Sequence, residues 1–246
     1  MTTRGRRARR GRLTLLGAVL VLLAACAVRV ASSGPEPEAV RDEPSGSSPD
    51  GAAVRGLLAR ARVVERRPDV GGYDRDCGPG DGCVFGTEWS DDTDAPDGHN
   101  GCDTRNDVLG AALLDVGFDP GSHGCDVVAG RLVDPYTGTT MDYATEGSRI
   151  HVDHLFPLAA AWDLGAADWT PARRARFAND TDLELLAVQG TANLQKGDST
   201  PASWLPPRHG YRCAYVAAYL TVAEAYDLAL TAADVRVIEA VARKAC

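Results

Sequence analysis

Apolar residues along the chain fall into a few patterned stretches separated by long polar ones, and each pattern predicts a kind of element. Leu13 to Ala25 is an almost unbroken apolar run behind twelve residues that carry six arginines and no acid. The run is shorter than the ~20 residues a permanent membrane helix needs, and its layout is that of an export signal. Residues 26–52 are rich in Pro, Ser, Gly and Glu with no apolar period, a composition that cannot bury a core and predicts a flexible linker. From 53 to 246 the pattern is that of one folded domain of ordinary size.

Within that domain, residues 54–65 predict a helix and the Gly- and Asp-rich stretch 73–101 a loop. Val108, Leu109, Ala112, Leu113 and Val116 recur at helical spacing, so 106–118 reads as a second helix. Strands are predicted at 125–133, 149–153 and 183–188, with a turn at Asp134-Pro135-Tyr136-Thr137-Gly138. The apolar stretch 156–164 predicts a buried helix, and Thr170-Pro171 reads as a cap followed by proline at the first helical position. A short helix at 192–196 and a closing pair at 211–226 and 231–245 complete the pattern; Thr231 and Asp234 have capping-box spacing. The class is α+β with little sheet.

Composition changes this picture in three ways. The apolar run ends Leu23-Ala24-Ala25-Cys26, which resembles a bacterial lipobox, so residues 1–25 read as a lipoprotein-type signal peptide and Cys26 as the lipidated first residue. An ordinary signal peptide is the plainer reading, and Arg9-Arg10 within the arginine run also fits a twin-arginine signal. The remaining cysteines, Cys77, Cys83, Cys102, Cys125, Cys213 and Cys246, are even in number and lack CxxC spacing. In an exported chain that implies disulfides rather than zinc. Of the ~15 possible pairings, Cys77–Cys83, Cys102–Cys125 and Cys213–Cys246 are favoured. Finally, the net charge is −8, and removal of the six leader arginines leaves 20 basic against 34 acidic residues, net −14. Such a protein has no global electrostatic footprint for nucleic acid, so any contact with it rests on a local patch and a metal.

Candidate chemistry concentrates in His151-Val152-Asp153-His154-Leu155-Phe156-Pro157. An Asp next to a His in an otherwise apolar segment needs a partner or a job. In an ideal strand Asp153 and His154 point to opposite faces, so they reach one centre only if the strand ends there, as Pro157 implies. Downstream, Asn193 and Lys196 are three apart and share a face if helical. An amide oxygen and an ammonium at that spacing suit a metal and a phosphate. Arg173, Arg174 and Arg176 lie between the two motifs and supply candidate positive charge; Arg105 is a further candidate beside the site. His99, His123 and His209 read as loop residues, and Trp162, Trp169 and Trp204 as core.

Asp-His-Leu-x-Pro followed by Asn-x-x-Lys-x-Asp resembles the HNH endonucleases. The surrounding Ala161-Trp162, Trp169-Thr170, Phe177-Ala178-Asn179-Asp180, Lys196-Gly197-Asp198, Trp204-Leu205-Pro206-Pro207, Cys102-Asp103-Thr104-Arg105-Asn106 and Asp134-Pro135-Tyr136-Thr137-Gly138 narrow the likeness. Together they resemble the secreted subgroup related to the C-terminal domain of GmrSD restriction enzymes, over roughly residues 70–246. The resemblance implies a ββα-metal (HNH, or His-Me finger) core embedded in additional helices and stabilised by disulfides. It implies His154 as general base, Asp153 and Asn193 as ligands of one divalent ion, Mg²⁺ or Mn²⁺, and Lys196 at a phosphate. His151 has no fixed role in the wider family and is a candidate second-sphere group or added ligand. The family's central Asn falls by count at Glu184, which accepts hydrogen bonds but cannot donate when ionised; Asp182 or Glu184 takes over part of that role.

The implied function is an exported, metal-dependent endonuclease that cleaves DNA with little sequence choice, acting as a monomer. It would be lipid-anchored to the membrane's outer face at Cys26 or released, and no protein partner is implied. Two alternatives stay open. One is a non-enzymatic surface lipoprotein that uses an HNH-like scaffold as a binding module, which the acidic charge and Glu184 favour. The other is a metal phosphodiesterase with a substrate other than DNA.

Overall fold

A computed structural model describes residues 49–78 and 82–246. The expected signal peptide and Cys26, and all of the linker up to residue 48, lie outside the described residues. In chain order the elements are α1 (Gly51–Leu58), β1 (Val63–Val64), α2 (Thr104–Ala112), β2 (Leu114–Phe118), β3 (Val127–Val133), β4 (Thr140–Asp142), α3 (Tyr143–Glu146), β5 (Ile150–His154), α4 (Leu158–Leu164), α5 (Pro171–Ala178), β6 (Leu185–Gln189), α6 (Gly190–Lys196), α7 (Arg212–Tyr226), β7 (Leu230–Thr231) and α8 (Ala232–Lys244). The mixed α+β class and the disulfide stabilisation read from the sequence are both present.

Helix starts follow local chemistry. The Asp50, Asp103, Thr170 and Thr231 side chains each accept an amide N–H in the first turn of the helix they precede, satisfying donors that have no partner within the helix. At α8 the Thr231–Asp234 capping box is closed in both directions. Asp50 starts α1 at Gly51, inside the stretch read as linker. A Cβ on Gly51 would fall 2.3 Å from the carbonyl oxygen of Ala242, so only glycine lets α1 pack this closely on α8.

The predicted helix over 106–118 is the main departure. The chain leaves the helix at Leu113 and continues as β2, which pairs antiparallel with β3 through two register shifts. Gly110 and Gly117 weaken a helix over this span. Gly130 of β3, at φ 145°, brings its backbone against the Leu113 side chain, where a Cβ would sit 2.9 Å from Leu113 Cβ. Pairing with β3 outweighs the helical periodicity, as tertiary contacts commonly override a local pattern.

Among the described residues three small sheets result: β1 with β7, parallel; β2-β3-β4, antiparallel; and β5 with β6, antiparallel, followed directly by α6. Two hydrophobic clusters hold them. The larger gathers α4, α7 and α8, with Phe156 stacked on Tyr219 at 4.4 Å between ring centres. The smaller joins α2, β3, β5 and β6. β5 sends Ile150 and Val152 into the smaller cluster, and the turn after it sends Leu155 and Phe156 into the larger. Asp153 and His154 therefore fall where the chain crosses from one core to the other. Trp162 lies in the larger core, with Trp169 and Trp204 packed against it, as expected.

The disulfides are Cys77–Cys83, Cys102–Cys125 and Cys213–Cys246, the pairing favoured from the sequence. Cys102–Cys125 ties the residue before the α2 cap to the approach of β3, and Cys213–Cys246 ties α7 to the residues that follow α8.

Candidate active site

β5 and β6 pair from Ile150↔Gln189 to His154↔Leu185, and the ladder stops there because the chain turns. The Leu155 amide donates to the Glu184 carbonyl at 2.8 Å, and the Phe156 amide donates to both Glu184 carboxylate oxygens at 3.1 and 3.2 Å. Pro157 then caps α4. With the strand ended, Asp153 and His154 open onto one cleft of about 750 Å³, which His151, Arg105 and Asn193 also line.

Asp153 is buried between two donors. Tyr136 donates its hydroxyl to Oδ2 at 2.6 Å, and Lys196 Nζ donates to Oδ1 at 2.9 Å and to the His154 carbonyl at 2.6 Å. Burial pushes the Asp153 carboxyl above the ordinary carboxylate range, against the pull of the Lys196 ammonium and the hydrogen bonds from Tyr136 and Lys196. Lys196 is only 1% exposed. The residue expected at a phosphate thus has its ammonium on a carboxylate and a carbonyl, because a buried cation needs partners.

Tyr136 was not singled out from the sequence. It stands in the Asp134–Gly138 turn, where Asp134 accepts the Thr137 amide at 2.8 Å through Oδ2 and the Gln189 amide at 2.9 Å through Oδ1. The motif thus pins the end of β6 to the turn and delivers the Tyr136 hydroxyl to Asp153.

His154 is half-buried. Its Nε2 lies 2.9 Å from the carbonyl oxygen of Ala178. A carbonyl only accepts, so Nε2 carries the proton and Nδ1 keeps its lone pair. Burial pushes the imidazole pKa down to about 3; Arg75 and Lys196 reinforce the shift and the Ala178 hydrogen bond opposes it. The Phe-Ala-Asn-Asp motif builds this support. Asn179 Nδ2 donates to the Ala175 carbonyl at 2.9 Å, and Asp180 Oδ1 accepts the Asp182 and Leu183 amides, each at 3.0 Å. Trp89 stacks on His154, with ring centres 5.9 Å apart and planes 14° apart.

α6 follows β6 without a loop and places half-buried Asn193 on the cleft. Gly190 opens α6 against the His151 ring, where a Cβ would fall 2.5 Å from Nε2. Arg105 donates to the Ile150 carbonyl at 3.0 Å. The three arginines of α5 do not line the cleft. Arg173 donates to the Tyr226 carbonyl and lies over Trp169, Arg174 holds the Val84 and Trp169 carbonyls, and Arg176 holds the Asp94 carbonyl. Their guanidiniums are spent on backbone carbonyls of loops and of the end of α7.

Among the described residues no group of three or more His, Cys, Asp or Glu side chains could by itself hold a metal ion. A hard divalent cation is still compatible with the cleft. The Asp153 carboxylate has about four lone-pair sites, more than its hydrogen bonds from Tyr136, Lys196 and the His154 backbone occupy, and Asn193 adds an amide oxygen. Mg²⁺ commonly uses only one or two protein oxygens and completes its shell with water and substrate oxygens.

The family described as GmrSD restriction endonucleases, C-terminal domain, matches residues 103–238. A protein of Arthroderma benhamiae described as an uncharacterized secreted protein is 35% identical over 187 residues, which cover 76% of this chain and 81% of that one. No solved structure matches. The matched region contains β5, β6, α6 and every motif assembled around Asp153 and His154, and the chain belongs to the family of GmrSD restriction endonuclease C-terminal domains.

Proposed function

We propose that this protein is an exported, metal-dependent endonuclease that hydrolyses phosphodiester bonds in DNA, with the antiparallel β5–β6 pair and α6 as its ββα-metal core. The observation that carries the reading is the placement of His154: Nε2 is committed to the Ala178 carbonyl, which leaves Nδ1 as the acceptor, and the ring stands beside Asp153 and Asn193 on one cleft. Export is supported by the three disulfides and by the relative described as secreted. Anchoring at Cys26 is part of the proposal, as is action as a monomer.

Hydrolysis requires a water stripped of its proton, a phosphate held in line, and charge balance at the phosphoryl oxygens. His154 Nδ1 takes the proton from the water, a role that needs the neutral ring. Asp153 and Asn193 would hold one Mg²⁺ or Mn²⁺, which when bound supplies positive charge at the phosphate. Lys196 and Tyr136 act on Asp153: they hold its carboxylate in one orientation and offset the burial that would otherwise protonate it. Glu184 fixes the turn after His154 by accepting the Phe156 amide, which is the part of the central Asn role that a carboxylate can play. His151 supports the floor of the cleft beside α6, and Arg105 offers free guanidinium donors to a phosphate.

The test is a plasmid-cleavage assay on the oxidised protein with a divalent-metal series and EDTA. Cleavage that EDTA stops, and that His154→Ala lowers by about 10²–10⁴-fold, is the expected result. Wild-type protein that leaves DNA intact with every ion would sink the reading and favour a binding module; cleavage of other phosphodiesters alone would redirect it to a different substrate.

A further inference from the structure

The nuclease reading leaves a part of the cleft unexplained. Trp89 is half-buried, packed against the smaller core, with its remaining surface lining the cleft beside His154, and it holds a left-handed backbone at φ 53°. That conformation is strained for an aromatic residue. Two contacts keep it there: Thr104 donates its amide to the Trp89 carbonyl at 3.3 Å and its hydroxyl to the Ser90 carbonyl at 3.1 Å. Thr104 opens α2, the helix that carries Arg105, so one anchor places both Trp89 and Arg105.

Arg105 and Arg75 are the two cationic side chains lining the cleft among the described residues. Arg105 spends one donor on the Ile150 carbonyl. Arg75 pairs with Glu88 at 3.0 Å, with both side chains about half exposed, a contact that a phosphate displaces at little cost. On α6, next to Asn193, Leu194 lines the same cleft and is 75% exposed.

Two guanidiniums on a chain of net charge −8 are a poor platform for a duplex, which carries one charge per ~1.7 Å of axis. They suit a short unpaired segment whose affinity comes from ring stacking as well as charge. Resting on the nuclease reading, we infer that the cleft takes single-stranded or locally unpaired nucleic acid, with one base stacked on Trp89 against Leu194 and the flanking phosphates on Arg75 and Arg105.

The test measures binding of fluorescein-labelled dT12 and of a 12-base-pair duplex to the oxidised full chain in EDTA, alongside cleavage of both with metal. Expected is at least about tenfold tighter binding of dT12 than of duplex. Trp89→Leu should weaken dT12 binding roughly ten- to hundredfold and duplex binding far less, while Trp89→Phe retains most of it. The dT12 affinity should fall with salt at a log–log slope near ~1.4, as two phosphate contacts on a single strand give. Equal binding of the two probes, equal losses on both in Trp89→Leu, or a slope of several units would overturn the inference. Should Trp89→Leu fail to fold, Trp89→Phe and the wild-type salt slope still decide it. Duplex cleavage without preference for single strands overturns this inference alone; no binding and no cleavage of any nucleic acid takes the nuclease reading with it.

Discussion

The Lys196 ammonium is buried 2.9 Å from Asp153 Oδ1, so the residue whose sequence spacing suits a phosphate neutralises the proposed metal ligand instead. Removing one partner of a buried pair leaves an uncompensated charge, at a cost of ~3–5 kcal/mol. Lys196→Met should therefore lower the unfolding free energy by that much in a denaturant titration with an unchanged slope, and remove cleavage with it. If Lys196→Met melts like the wild type yet loses affinity for a nucleic-acid probe and part of its salt dependence, the side chain is meeting phosphate after all.

Tyr136→Phe isolates the second donor to Asp153. The ring still fills its place against Trp204 and Tyr215, and only the hydroxyl at 2.6 Å from Oδ2 is lost. A hydrogen bond to a charged group contributes ~1.5–3 kcal/mol, so unfolding free energy should drop within that range. Activity should fall because Asp153 loses one of the two donors that orient it. A variant equal to the wild type in both would mean that Lys196 alone positions the carboxylate.

The Cys102–Cys125 disulfide closes a separation of 23 residues just before the α2 cap. A loop of that size is worth about 3 kcal/mol through the unfolded chain. The double variant Cys102→Ser/Cys125→Ser should lose stability on that scale in thermal unfolding. Its cleavage should fall further than that of Cys213→Ser/Cys246→Ser, because α2 carries Arg105 to the cleft whereas the C-terminal disulfide ties helices away from it. Equal losses in the two variants would show that the first disulfide acts through stability alone.

Much of this arrangement was legible in the sequence. The Asp153-His154 pair, Pro157 as the stop that lets both residues face one cleft, and Asn193 on the helix after β6 follow from residue type and spacing; the three disulfide pairs were the favoured ones among pairings that spacing alone does not fix. Three things were not legible, each because it depends on a partner distant in the chain. The burial of Lys196 is set by Asp153, 43 residues away. The Tyr136 hydroxyl reads as one more turn residue until the Asp134 turn is docked on β6. Trp89 sits in a Gly- and Asp-rich loop with no periodicity, and the Thr104 contacts and packing on the smaller core bring it to His154. The lost second half of the 106–118 helix has the same origin: Leu113 and Val116 fit a helical face, and Gly130, across the sheet, decides otherwise.

Glu184 offers the clearest dependence on pH. It is fully buried, and burial pushes its carboxyl well above the ordinary range, against the pull of the Phe156 amide and Lys196. A carboxyl whose folded pKa is raised contributes stability that is fully present below its unfolded value, 4.5, and is lost as pH rises towards the folded one. Glu184→Gln keeps an acceptor for the Phe156 amide and does not titrate. It leaves a buried NH₂ without a partner, a roughly constant cost of ~1–3 kcal/mol. Wild-type stability should therefore fall relative to Glu184→Gln from about pH 4.5 upward, by ~1.4 kcal/mol for each pH unit until the folded protein itself releases the proton. Urea unfolding of both proteins from about pH 4 to about pH 8 gives the difference directly. Parallel curves would mean that Glu184 ionises in the folded protein as it does in the unfolded chain, and that the turn after His154 is held by a charge rather than by a neutral acid.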